Sequence, residues 1–268
     1  HTLSHGGMRH EHAESCTTHN MVRLVGMLLR ASGGALAYAD FVERALLNGV
    51  LGTQRGTEPG AMLYFMPLGS GVSKRKPQSW RHTGWSTPFG DFWCCQGTGI
   101  EAFARLAEHI FMEHRAVDDA PPELFVLQLI PARLQWRRAG LALSLEADLP
   151  GAVHPDAAAN LTLRVTKASA VGARAALTFR VPSWAAAPTA TLQSVLPRSR
   201  DGHVEVELGA DGPAVRTSSL GPVEAGTLLR VERTWREGDA LTLALPTALR
   251  TSYAVPAARP PWSGRLLQ

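Results

Sequence analysis

Cysteine is scarce in this chain, with three in 268 positions. A low, odd count argues against a disulfide framework, which needs thiols in pairs. Two of the three, Cys94 and Cys95, are neighbours, and adjacent cysteines bridge each other only with strain. A bridge from Cys16 to either would leave one thiol over. Long apolar runs are missing too. No stretch approaches the roughly 20 apolar residues of a membrane-crossing helix, so no membrane partner is expected. Charge of one sign is barely in excess, with 27 Lys and Arg against 23 Asp and Glu. No Lys/Arg block is interleaved with aromatics, which argues against a nucleic-acid partner. The longest basic cluster, Lys74-Arg75-Lys76, is flanked by serine and proline and reads as a solvated loop. No signal or transit peptide is visible, and the chain opens on histidine. We expect a segment of a longer protein, and the sequence assigns it no compartment.

A chain of this length makes one large domain or two small ones. Residues 1–12 carry four histidines and two glycines and read as loop. The first predicted helix runs from Cys16 to Leu29, with Thr17 and Thr18 offering N-cap oxygens. Met21, Leu24, Val25 and Leu28 recur there at helical spacing, and Gly33-Gly34 ends the helix. A second helix is predicted from Ala37 to Leu51, with Phe41, Ala45, Leu46 and Val50 on one face. The pair reads as an antiparallel hairpin. The apolar run between Gly60 and Pro67 is short and extended. Residues 69–90 are loop, and a third helix is predicted from Ile100 to Met112. Its buried face is Ile100, Phe103, Ala104, Ala107, Ile110 and Phe111.

From Glu123 the periodicity changes to two. Predicted strands cover 124–130, 141–145, 161–165, 177–181, 204–208, 227–233 and 241–245. Alternation with Gly, Pro and Asp turns between predicts an antiparallel β-sandwich. The boundary falls in Asp118–Pro122, giving domains at 1–117 and 118–268.

The chemistry gathers in Glu14-Ser15-Cys16 and in Asp91-Phe92-Trp93-Cys94-Cys95-Gln96-Gly97-Thr98-Gly99. A carboxylate and a thiol two residues apart reach one ion from an extended segment. Two adjacent thiols from a second loop complete a tetrahedron. Buried structural thiols are the competing reading, and the residues alone leave the two about even. A helix following Cys94 and Cys95 would favour thiolate there.

Several blocks resemble the β-L-arabinofuranosidases of glycoside hydrolase family 127, and they lie in the same order. They are Glu14-Ser15-Cys16-Thr17-Thr18-His19-Asn20-Met21, Tyr38-Ala39-Asp40-Phe41-Val42-Glu43-Arg44-Ala45-Leu46-Leu47-Asn48, Gly60-Ala61-Met62-Leu63-Tyr64-Phe65-Met66-Pro67-Leu68 and Phe92-Trp93-Cys94-Cys95-Gln96-Gly97-Thr98-Gly99-Ile100-Glu101. Arg180-Val181-Pro182-Ser183-Trp184 and Glu237-Gly238-Asp239 follow in the β part. The chain is most similar to the plant-like branch, once known only as a domain of unknown function. The resemblance implies the last helices of an (α/α)6 barrel followed by a β-sandwich. It implies hydrolysis of terminal β-L-arabinofuranosides with retention, on a carbohydrate substrate. It implies Zn2+ held by Glu14, Cys16, Cys94 and Cys95, with Cys94 as nucleophile and Tyr64 lining the sugar pocket. The family's general acid/base glutamate lies upstream of the Glu-x-Cys motif. Gly6-Gly7 followed by Glu11 reads as a compressed remnant, making Glu11 the candidate. Three barrel helices are expected here, where a whole barrel has twelve. The alternative is a non-catalytic carbohydrate-binding or structural β-sandwich module with a structural zinc site.

Overall fold

The computed structural model describes residues 12–67, 74, 84–114, 120–148, 158–196 and 215–248. The chain opens with β1 (His12–Glu14), α1 (Ser15–Ala31) and α2 (Leu36–Ala45). A π turn (Leu46–Val50) and a 3-10 turn (Leu51–Thr53) follow, then β2 (Phe65–Pro67) and α3 (Cys94–Ala104). A 3-10 turn (Leu106–His109) leads into β3 (Phe111–His114). The remaining elements are strands: β4 (Glu123–Val126), β5 (Ala132–Trp136), β6 (Leu141–Asp148), β7 (Ala158–Lys167), β8 (Ala173–Val181), β9 (Thr189–Val195), β10 (Val215–Pro222), β11 (Thr227–Trp235) and β12 (Ala240–Pro246).

Helix α1 ends where the glycines predict. Gly33 and Gly34 take φ of +67° and +99°, and Gly34 N–H donates to Leu29 O at 2.9 Å. Its start differs from expectation. The N-cap is Glu14, with no side-chain cap, and Thr18 Oγ1 bonds back to Glu14 O at 3.3 Å. The buried face is Val22, Val25 and Leu29, while Met21, Leu24 and Leu28 are exposed. Helix α2 is shorter than predicted because its last turn widens to π at Leu46. Gly49 sits there close to α1, and a Cβ on it would meet Thr18 Cγ2 at 2.5 Å.

The third helix departs most from the sequence reading. It begins at Cys94, six residues before Ile100, and ends at Ala104. Gln96 explains the early start, since its Oε1 accepts Trp93 N–H at 2.8 Å and satisfies the first turn. Ile100 and Phe103 are exposed, and Cys95 and Ala102 are the buried residues. Phe111 and Met112, predicted as helix, belong to β3.

The strands form two main sheets. One has six strands in the order β10-β9-β12-β7-β6-β5, the other four in the order β11-β8-β4-β3. Their facing side chains share one core that runs from Leu143, Leu163 and Leu243 to Leu177, Phe179 and Trp235. Pairing is antiparallel except between β4 and β8, which run parallel, a departure from the expected all-antiparallel pattern. Strands β3, β5, β9 and β10 were not foreseen, and the predicted strand at 204–208 lies outside the described residues.

A buried arginine ties the helices to the sheets. Arg180, on β8, is fully buried. Its Nε donates to Leu127 O at 2.6 Å, Nη1 to Asp40 Oδ1 at 2.6 Å and Nη2 to Glu43 Oε1 at 2.7 Å. Trp184 Nε1 donates to Glu43 Oε2 at 3.0 Å, and Gln128 Nε2 to Ala39 O at 3.0 Å. Asp239 works within the sheets, accepting Val195 N–H at 2.7 Å and Arg236 N–H at 2.9 Å.

Candidate metal centre and active site

Residues 62–64 hold the site together. Strand β1 pairs antiparallel with β2, setting Glu14 opposite Phe65. Ser15 locks this pairing from the first turn of α1. Its backbone N–H donates to Tyr64 O at 3.0 Å, and its hydroxyl to Leu63 O at 2.9 Å. On the other side Leu63 bridges Trp85, and Ser86 N–H donates to Met62 O at 2.8 Å. Thus one short extended segment fixes both the Glu14–Cys16 turn and the stretch leading to Cys94.

The predicted ligands converge. One ligand atom from each of Glu14, Cys16, Cys94 and Cys95 lies within 4.8 Å of all the others. Cys16 Sγ and Cys95 Sγ are 3.4 Å apart. Burial grades across the cluster: Cys95 is buried, Glu14 and Cys16 half-buried, and Cys94 exposed. Tyr64, predicted to line a sugar pocket, places its hydroxyl 3.3 Å from Cys94 Sγ. Its ring meets Trp93 edge-on at 5.8 Å. Glu11 lies outside the described residues, as do His1, His5 and His10.

The environment separates the three thiols. The Tyr64 hydroxyl bonded to Cys94 holds that thiol below its ordinary value, against partial desolvation. Burial pushes Cys95 and Cys16 upward. Tyr64 is itself raised, chiefly by the same bond to Cys94. The exposed thiol therefore ionises before the two covered ones.

The donor set fits a single ion. Two sulfurs at ~2.3 Å from one tetrahedral cation stand about 3.8 Å apart, close to the spacings found here. Three thiols and a carboxylate are ligands for a borderline-soft metal. The cluster can hold a metal ion.

Thr98 was missed by sequence reasoning. Its Oγ1 lies 3.4 Å from Cys16 Sγ and bonds Cys95 O at 3.1 Å. The signal was its i+3 spacing from Cys95, which carries meaning only once the helix starts at Cys94.

Two family descriptions match the chain. The β-L-arabinofuranosidase GH127 catalytic domain matches residues 5–108, and the GH127 middle domain matches residues 123–247. The chain belongs to glycoside hydrolase family 127. Solved structures of similar fold include a glycoside hydrolase, at 20% identity and TM-score 0.58, covering 87% of this chain and 33% of that one. A family 127 β-L-arabinofuranosidase from Geobacillus stearothermophilus matches at 20% identity and TM-score 0.57, covering 91% of this chain and 33% of its own. A family 127 β-arabinofuranosidase matches at 18% identity and TM-score 0.54, covering 87% and 32%. At such identities the likeness is one of fold, and this family 127 chain spans about a third of the length of each. Among curated protein sequences there is no match.

Proposed function

We propose that this chain is the metal- and nucleophile-bearing part of a retaining glycoside hydrolase that releases terminal β-L-arabinofuranose or a similar pentose. The observation that carries the reading is the convergence of Glu14, Cys16, Cys94 and Cys95 with only Cys94 exposed. A solvent-facing thiol with a hydroxyl on its sulfur is placed for attack, while its two companions are placed for holding. Zn2+ is the ion we assign to the cluster; when bound it keeps coordinated thiols ionised at neutral pH.

Cys94 Sγ attacks the anomeric carbon. A C–S bond forms as the glycosidic C–O bond breaks, and the leaving oxygen takes a proton from the general acid, which we assign to Glu11. Water, deprotonated by the same carboxylate, then displaces the sulfur, and two inversions give retention. Tyr64 steadies the sulfur and lines the sugar site.

In architecture we propose that α1–α3 are the last helices of an (α/α)6 barrel and that the two sheets form a β-sandwich, with domains at 1–117 and 118–268. Apolar residues left exposed on the helices support a larger helical layer.

The test is zinc stoichiometry together with p-nitrophenol release from its β-L-arabinofuranoside. We expect one zinc per chain, and turnover that vanishes in Cys94→Ser while the fold persists. Full activity in Cys94→Ser would remove the nucleophile role. Four protein ligands close a tetrahedron, as structural sites do, and this favours one alternative: a non-catalytic carbohydrate-binding or structural module. Zinc without turnover is its signature.

A further inference from the structure

Two buried histidines take no part in the chemistry above. His19, on α1, and His109, at the end of the 3-10 turn after α3, are 4% and 6% exposed. Among the described residues no group meets Nδ1 of His109 in hydrogen-bond geometry, and Nε2 of His19 has only the off-geometry approach of a carboxylate. Both line one cavity of ≈ 10 Å³, room for a single water. Helix α1 rides directly on the imidazole of His109. A Cβ added at Gly26 would meet His109 Cε1 at 3.1 Å and Nδ1 at 3.3 Å.

Charged side chains from α1, α3 and the turn after α3 surround the pair. Glu101, on α3, brings Oε2 to 3.3 Å from His19 Nε2. Arg23 on α1 and Arg105 after α3 hold its other oxygen, at 3.5 and 3.3 Å. Glu108, next to His109 in the chain, is engaged by Arg105 at 3.0 Å. Arg30, on α1, also bears on His109. The π turn contributes only Leu46 and Val50. A proton on His109 is opposed first by burial, is favoured by Glu108, and is opposed by Arg30, Arg105 and His19.

We propose that His109, packed beneath α1 at Gly26 and sharing its cavity with His19, is a proton-operated joint between α1 and the end of α3, closed at neutral pH and opened by acid. The two helices begin at Ser15-Cys16 and at Cys94-Cys95, so opening the joint loosens the packing of α1 on α3 that holds the thiol cluster. The joint operates whether or not the chain hydrolyses sugars. Burial lowers the affinity of His109 for a proton in the folded state. Its contribution to stability is therefore fully present above the unfolded value of about 6.5 and is lost as pH falls from there through the folded value.

Histidine C2-hydrogen exchange, followed by mass spectrometry on the intact chain, reads each imidazole. His109 is expected to titrate below about 6.5 and to exchange more slowly than the exposed His114. Titration of His109 at or above that value would overturn the joint. The second measurement is N-ethylmaleimide labelling of buried Cys95 in the protein as purified, wild type against His109→Gln, compared at the same pH. Equal rates are expected at pH 7.5, and labelling about fivefold faster in the wild type at pH 5.5. Superimposable rates at both pH values would also overturn it. If His109→Gln does not fold, the exchange measurement on the wild type decides alone.

Discussion

Strand β7 and helix α1 bury their apolar residues to different degrees. On β7, Leu161, Leu163 and Val165 all point into the shared core of the two sheets and are 1–2% exposed. On α1, Val22, Val25 and Leu29 are buried, but Met21, Leu24, Met27 and Leu28 stand 38–56% exposed. The same holds for Phe41, Leu47, Ile100 and Phe103 around them. A strand has one inward face, and a second sheet covers it. The helices carry a wider apolar stripe than their neighbours here cover. The sheet region thus holds itself together by burial, whereas the helical region leans on the sheets through Arg180. The thiol site sits on the region with less burial of its own.

The largest effect should come from cutting that link. Arg180→Met leaves Asp40 and Glu43 half-buried without their partner, a loss of about 3–5 kcal/mol. In urea, helical ellipticity should then fall well before sheet signal, where the wild type loses both together. Coincident transitions in the variant would show that the helices do not depend on the clamp. A smaller effect is expected at Tyr64. Tyr64→Phe removes the hydroxyl from Cys94, whose thiol should rise toward its ordinary value. Alkylation of the metal-free protein by iodoacetamide at neutral pH should slow about three- to tenfold, because less of the sulfur is thiolate. An unchanged rate would mean that the hydroxyl does not tune the sulfur. The smallest effect belongs to the sheet surface. Arg174 and Arg230 hold Glu232 below the usual carboxylate range. That contribution is present above the unfolded value and is lost as pH falls through the folded one. The group is solvent-exposed, so Glu232→Gln should leave the melting temperature nearly unchanged at neutral pH. A clear drop would mean that the sheet region also leans on surface charge.

Much of the site was legible in the sequence. Glu14, Cys16, Cys94 and Cys95 stood out because thiols are rare here and two stand together. The third helix was expected only from Ile100, after the glycines at 97 and 99, and it starts before them. Gln96 caps the turn ahead of them, and Gly99 lies where a Cβ would meet Met62 Sδ at 3.4 Å. The motif residues Arg180 and Asp239 looked like family marks in sequence and are clamps in three dimensions.

Composition and local pattern determined the donor chemistry, the switch from period 3.6 to period two near residue 123, and the glycine stop after α1. These depend on residue type and near neighbours, which a linear sequence displays. Tertiary structure alone decided that residues 62–64 join Ser15 to Trp85 and Ser86, that Tyr64 meets Cys94, and that His19 shares a cavity with His109. Each of these rests on contacts between residues far apart in the chain, set by which surfaces close together on burial, and no local pattern records them.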